Sequence, residues 1–268
     1  MSMWKSVIHN GQPVYYRDKG KGDVVVLLHG FGETGDVWDQ QAAVLASHFR
    51  VLIPDLPGSG RSGITEDMSM EGLADVLFHL LNHENISRCI LIGHSMGGYA
   101  ALAFAALHAR FLAGLGLFHS TAYADSEEKK QVRQKGIGFI EEHGAYAFLK
   151  TSSPNLFSPL TRENQPELID EFVESLSNFS ASALVLYYKA MMTRADHTQV
   201  LREATYPVLF VMGPYDQAVP MADSLRLCTL PGKSYIYTLA SSGHMGMLEQ
   251  PALSGKILLQ FASEATLF

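Results

Sequence analysis

Residues 90–98 read Ile90-Leu91-Ile92-Gly93-His94-Ser95-Met96-Gly97-Gly98. The branched apolar residues Ile90, Leu91 and Ile92 form a short run of the kind that fills a strand buried on both faces of a sheet. Beyond Ser95 the chain turns to Tyr99-Ala100-Ala101-Leu102-Ala103-Phe104-Ala105-Ala106, which suits a closely packed helix. The segment therefore predicts a strand, a tight turn and a helix over residues 95–108. The turn carries the pattern G-x-S-x-G. Alone that pattern is weak, since an ordinary glycine turn also satisfies it. The strand–turn–helix setting gives it weight. A Cβ two residues to either side of the serine would clash, the serine is held in strained backbone geometry, and its hydroxyl is pushed clear. The N–H of Met96, at the helix start, then faces any oxyanion formed nearby.

The same alternation extends in both directions. Apolar runs at residues 14–17, Val24–Leu28, 51–53, 89–92, Leu112–Phe118, Val208–Met212 and 235–239 predict strands. Residues 36–48, Met70–His83 and 253–262 predict helices between or after them. Clusters at Asp18-Lys19-Gly20-Lys21-Gly22 and Pro54-Asp55-Leu56-Pro57-Gly58-Ser59-Gly60-Arg61 are turn and loop. Repeated strand–helix units predict an α/β fold with a mostly parallel central sheet and helices on both faces. Residues 122–200 differ: they carry 19 charged residues in 79 positions, against 28 in the remaining 189. The stretch loses the strand runs, while Ile169, Phe172, Val173 and Leu176, and Leu184, Tyr187, Tyr188 and Met191, fall at helical spacing. It is expected to be a solvated helical insertion between two strands.

Composition bounds the function. With 268 residues, 47% hydrophobic and 18% charged, the chain can build a sizeable core, which excludes disorder as a whole-chain reading. Lys plus Arg number 20 against 27 Asp plus Glu, and no basic run occurs, so neither nucleic acid nor an anionic membrane surface is an expected partner. Residues 97–118 are apolar apart from His108 and Arg110. They are read as helix, turn and strand rather than a membrane span, which needs ~20 largely uninterrupted apolar residues. The two cysteines, Cys89 and Cys228, are too few and too far apart for a disulfide framework or a zinc cluster. They are read as buried, reduced thiols. The start, Met1-Ser2-Met3-Trp4-Lys5, lacks a signal peptide's apolar run, and a cytoplasmic location is expected.

A serine hydroxyl needs a base. Of the eleven histidines, His244 follows the strand at 235–239 in Ser241-Ser242-Gly243-His244, at the sheet edge where active-site residues of open α/β sheets collect. His48, His79, His83 and His108 fall on expected helices and are read as surface or packing residues. Asp216, in the loop after Val208–Met212, is the expected carboxylate for His244. Asp125 competes, but its place in the charged insertion makes it an expected solvated residue. The chain order Ser95, Asp216, His244 is the one this fold uses.

These motifs resemble the α/β-hydrolase superfamily over essentially the full chain. The matching segments are His29-Gly30-Phe31-Gly32, Asp55-Leu56-Pro57-Gly58-Ser59-Gly60-Arg61-Ser62, Gly93 to Gly98, Gly213 to Asp216 and Gly243-His244. The resemblance implies a core of residues 1–121 and 201–268, with 122–200 as a helical cap over the site. It also implies that the N–H of Phe31 is the second oxyanion donor, that His29 is structural, and that Asp55 and Arg61 fix their loop. Serine rather than aspartate at position 95 departs from the haloalkane dehalogenase and epoxide hydrolase branches, which need a carboxylate nucleophile.

The expected protein is a serine hydrolase acting on a small to medium carboxylic ester or thioester, through an acyl-enzyme on Ser95. That chemistry needs no cofactor and no metal. Phe31, Met96, Tyr187 and Met191 are the expected substrate-binding wall, suited to an apolar acyl group on a small-molecule substrate. The same residues also support carbon–carbon bond hydrolysis, perhydrolysis or cofactor-free lyase and oxygenase chemistry; a ligand receptor on this scaffold is a further alternative. His119-Ser120-Thr121, after a core strand, has no expected role beyond lining.

Overall fold

A computed structural model describes residues 3–268. Its sheet has eight strands: β1 (Met3–His9), β2 (Gln12–Lys19), β3 (Val24–Leu28), β4 (Arg50–Pro54), β5 (Cys89–His94), β6 (Leu112–Phe118), β7 (Val208–Met212) and β8 (Ser234–Thr238). Their order is β1-β2-β4-β3-β5-β6-β7-β8. β1 pairs antiparallel with β2, and β2 with β4; β3 to β8 run parallel. The continuous apolar runs have a direct cause. On β3, Val26 and Leu28 enter one core and Val25 and Leu27 the other, so both faces need apolar side chains. β1 has no counterpart in the sequence reading: it is an edge strand, polar at Lys5, Ser6 and His9, and no unbroken apolar run marks it.

The helices of the core are α1 (Asp39–Leu45), α2 (Met70–His83) and α3 (Met96–His108). The helix expected over 36–48 is split. Thr34 caps a tight 3-10 turn at Gly35–Trp38 through the Asp36 N–H, and α1 starts only after Trp38, which is fully buried edge-on against Phe118 at 5.1 Å. The segment 97–118 resolves into α3, a 3-10 turn at Ala109–Phe111, and β6. Among the described residues no helix is long and apolar enough to cross a membrane.

Between β6 and β7 lie six helices: α4 (Glu127–His143), α5 (Ala145–Ser152), α6 (Pro159–Asn164), α7 (Pro166–Ser175), α8 (Ala181–Thr193) and α9 (Thr198–Arg202). The chain closes with α10 (Met221–Leu227), α11 (Gly246–Glu249) and α12 (Pro251–Ala265). β3, β5, β6, β7 and β8 are neighbours in that order, so the segments leaving their carboxyl ends lie side by side. Those segments carry Phe31, Ser95, His119, Asp216 and His244.

The β5–α3 turn depends on two missing side chains. An ideal Cβ on Gly93 would lie 2.3 Å from the carbonyl carbon and oxygen of Gly97; one on Gly97 would lie 2.5 Å from the His29 carbonyl oxygen. Every one of those neighbours is backbone, so relief requires the strand and helix to separate. Gly93→Ala should therefore destabilise by about 3 kcal/mol or more, the upper end of overpacking costs. Urea unfolding checks this as a lowered midpoint at unchanged slope. A loss below about 1 kcal/mol would mean that the turn can widen.

Candidate active site

Ser95 sits at φ 50°, ψ −115°, a backbone geometry that ordinary residues avoid. Hydrogen bonds hold it there. Its N–H donates to the Phe118 carbonyl at 3.1 Å, and its carbonyl accepts from Gly98 N–H at 2.9 Å and from the Ser120 hydroxyl at 2.8 Å. Met96 follows as the first residue of α3, where backbone N–H groups have no partner within the helix. Ser95 borders a cavity of about 160 Å³ that is also lined by Phe31, Glu33, Tyr99, Arg133, Tyr188 and His244. Two larger hollows, of about 200 and 250 Å³, lie elsewhere and contain none of these groups.

Asp216 collects four hydrogen bonds. Its Oδ2 accepts from Nδ1 of His244 and from Nδ1 of His119, each at 2.9 Å, and its Oδ1 accepts from the N–H groups of Ala218 and Val219, each at 2.9 Å. Burial alone would raise its carboxyl pKa, but the facing His244 and the bonds from both imidazoles hold it well below the usual carboxylate range. For His244 burial opposes charge, and Asp216 together with Glu33 and Glu249 raises the imidazole above its ordinary 6.5. For His119 burial wins, its pKa is lowered, and Nε2 has no partner among the described residues. A neutral His119 that donates from Nδ1 fits both facts. His119, Asp216 and His244 could also be read as a metal cluster. However, both ring nitrogens already meet one carboxylate oxygen at hydrogen-bond distance, so that geometry is accounted for without an ion.

A second buried pair braces the turn. Glu33 Oε2 accepts the Gly30 N–H at 2.7 Å and faces His94 Nδ1 at 3.0 Å; His94 Nε2 donates to the His244 carbonyl at 3.0 Å. The pair thus ties together the loop after β3, the Ser95 turn and the His244 loop. Burial opposes the Glu33 charge, but His94 and the Gly30 amide pull its pKa below the ordinary 4.5. A carboxyl depressed on folding stabilises fully above its unfolded pKa, and that contribution fades as the pH falls through the folded value. Glu33→Gln should therefore cost about 3 kcal/mol at pH 7, as for breaking a buried pair. The gap to the wild type should narrow below pH 4.5. Urea titrations at both ends of this range check it; an equal gap at each end would mean that Glu33 is not charged in the fold.

The structure brings Ser95, Asp216 and His244 together with Phe31 and Met191, but moves other expected residues elsewhere. Tyr187 is fully buried, its hydroxyl bonded to Ser59 at 2.9 Å and to the Pro57 carbonyl; the next residue of α8, Tyr188, lines the cavity instead. Met191 keeps its expected place, whereas Tyr187 turns toward the loop at 54–61, which offers its hydroxyl polar partners. The Met96 side chain is also fully buried, in the core rather than the cavity wall. Asp125 is not solvated: its buried carboxylate pairs with Arg133 and Arg194. His29 donates from Nδ1 to the Gly30 carbonyl and accepts the Leu56 N–H at Nε2, each at 2.9 Å. Asp55 accepts the N–H groups of Gly35 and Arg61, so Arg61 joins this loop through its backbone. Cys89 and Cys228 are free and buried, with burial pushing their thiols up to about 12 and about 11. Glu33 and Arg133 have no counterpart in the sequence reading, while His119, expected only as lining, is bonded to Asp216. Only His119 left a signal, a polar residue at the end of a buried strand.

Residues 25–253 match the family model described as the alpha/beta hydrolase family. Among curated proteins, the chain is 28% identical to a Pantoea ananatis protein provisionally named carbamate hydrolase RutD, covering 92% of each. It is 27% identical to the pimeloyl-[acyl-carrier protein] methyl ester esterase of Vibrio vulnificus, covering 94% of this chain and 98% of that one. Among solved structures, a thermophilic esterase from Thermogutta terrifontis, with malate bound, superposes with a TM-score of 0.91 at 28% identity over 99% of both chains.

Proposed function

Because this chain belongs to the alpha/beta hydrolase family, we propose that it is a serine hydrolase that cleaves a small carboxylic ester or thioester through an acyl-enzyme on Ser95. One observation carries the reading. A serine held at φ 50° shares a cavity with a histidine whose other ring nitrogen is bonded to a buried carboxylate. The relatives named as esterases support the ester class. The segment between β6 and β7 acts as the cap, since it contributes Arg133, Leu156, Tyr188 and Met191 to the cavity.

In the proposed reaction Ser95 Oγ attacks the ester carbonyl and passes its proton to Nε2 of His244. The oxyanion is received by the N–H groups of Phe31 and Met96. Asp216 keeps the His244 proton on Nδ1, so that Nε2 is free to act, and stabilises the imidazolium that forms. His244 then protonates the departing alcohol. Water, deprotonated in turn by His244, attacks the acyl-enzyme and releases the acid. His119 serves as a second donor to Asp216, so the carboxylate stays fixed when His244 changes charge. Phe31, Leu156 and Met191 supply apolar wall for the acyl group. At about 160 Å³ the cavity is smaller than the usual range of roughly 300–1,000 Å³ for drug-sized ligands, which favours a short acyl chain.

Ser95→Ala should lower kcat/KM on an activated aryl ester by about three decades or more while leaving the melting curve close to wild type. Mass spectrometry of wild-type enzyme quenched during turnover should show the acyl group on Ser95. A variant that retains a tenth of the activity would move the nucleophile elsewhere. The pH profile supplies a separate check. His244 accepts a proton only when neutral, so kcat/KM should fall as pH drops through a value above 6.5. An acid limb centred below pH 6 would remove His244 as the base.

A further inference from the structure

Arg133, on α4, is the only lysine or arginine lining the cavity among the described residues. Its Nε donates to Asp125 Oδ2 at 2.5 Å and its Nη2 to Asp125 Oδ1 at 3.3 Å, and Oδ1 also accepts Arg194 Nη1 at 2.7 Å. One buried carboxylate thus lies between two guanidinium groups, and the cluster keeps a net positive charge. Arg194 is committed elsewhere: it donates to the carbonyls of Met191 and Tyr123 and lies 4.0 Å over the Tyr99 ring. Arg133 is not. A guanidinium has five N–H donors; two of Arg133's go to Asp125, and the rest have no acceptor among the described residues.

Two more unused donors stand beside it. Tyr99 and Tyr188 line the same cavity, and neither hydroxyl has a hydrogen-bond partner among the described residues. The Arg133 guanidinium lies 5.5 Å from the Tyr188 ring centre, and that ring is itself fixed by stacking on Phe31 at 4.3 Å. Burial works against the Arg133 charge, but the bond to Asp125 and the neighbouring Tyr99 and Tyr188 hold its pKa above the ordinary value. The remaining acid on the wall, Glu33, is engaged by His94 and Gly30 and does not compete for these donors.

We propose that Arg133, with the Tyr99 and Tyr188 hydroxyls, receives a carboxylate carried by the substrate, so that the preferred substrate is the half-ester of a short dicarboxylic acid. A planar guanidinium fork matches a carboxylate, and a purely apolar acyl chain would offer the unpaired donors no acceptor. The volume, about 160 Å³, lies below the usual range of roughly 300–1,000 Å³ for drug-sized ligands, which favours a short chain between ester and carboxylate. The proposal rests on Ser95 as nucleophile for the ester end. The carboxylate site itself does not.

The test compares monomethyl glutarate with methyl 5-methylhexanoate, in which an isopropyl group replaces the carboxylate. Wild-type enzyme should prefer the anion by about tenfold or more in kcat/KM. Arg133→Met should reduce that preference about thirtyfold or more, mainly through KM for the anion. Arg133→Lys, which keeps the charge and loses the fork, should fall between. Tyr99→Phe should reduce it severalfold, and these two variants carry the test if Arg133→Met does not fold. A wild type that favours the neutral ester, or a preference unchanged in the folded Arg133 variants, overturns the proposal. If neither ester turns over, turnover of the activated aryl ester judges the Ser95 reading separately, and calorimetry with glutarate judges the site. Binding at least tenfold weaker in Arg133→Met supports the site, and equal binding overturns it.

Discussion

The carboxyl edge of the sheet depends on one close approach, in which the Gly93 and Gly97 backbones meet where no Cβ fits. That approach bends the chain through Ser95 at a φ that costs on the order of 1–3 kcal/mol. The strain persists because its surroundings leave no alternative: α3 is buried from Met96 through Ala105, and its small residues let it lie close to the sheet. Gly97 also lies against the carbonyl oxygens of Leu28 and His29, so the same contact sets the distance between the Ser95 turn and the loop that carries Phe31. A hydroxyl and two candidate oxyanion donors are therefore placed by backbone packing, before any polar side chain contributes.

The buried charges are arranged around this frame so that each is held by more than one group. The loop amides of Ala218 and Val219 orient Asp216, independently of whether His244 is charged. His119 adds a donor that stays neutral because burial lowers its pKa. The two histidines thus meet one oxygen with opposite tendencies: the pKa of His244 is raised and that of His119 lowered. Two imidazolium ions on one carboxylate would repel each other, and desolvation of His119 prevents that state. Glu33 and His94 act on the other side of His244 by holding its carbonyl, which fixes the backbone while Asp216 fixes the ring.

What could be read from the sequence was what local sterics or strand ends determine. The Gly93–Gly97 turn was legible because its constraint lies within a few residues, and Asp216 and His244 because each follows a buried strand. Strand β1 was not, since an edge strand needs no continuous apolar run. Tyr187 and Tyr188 are adjacent on α8, and helical spacing could not say which would face the cavity; the polar partners of Tyr187 lie some 130 residues away in sequence. Asp125 looked solvated because its segment is charged. Its partners Arg133 and Arg194 are 8 and 69 residues distant, and only the fold brings them onto one carboxylate. Glu33 and His94, 61 residues apart, pose the same problem.

The insertion is more than a wall placed over the core, because it is fastened to the loop that carries His244. The His244 N–H donates to the Leu156 carbonyl at 2.7 Å. Glu249 accepts the Gly243 N–H with one oxygen, and the Ser158 N–H and Thr161 hydroxyl with the other. Residues 156–161 therefore position the proposed base directly, whereas α4 and α8 meet the cavity through Arg133, Tyr188 and Met191. This gives the insertion two kinds of residue. Under the proposed function, changes at Arg133, Tyr188 and Met191 alter which molecule fits, and none of these three side chains is bonded to Ser95 or Asp216. Changes at 156–161 displace the His244 backbone itself, and so reach the chemistry for every substrate alike. A scaffold divided in this way can vary its substrate through side chains that make no hydrogen bond to Ser95, Asp216 or His244, provided the short stretch bonded to Glu249 and His244 is kept.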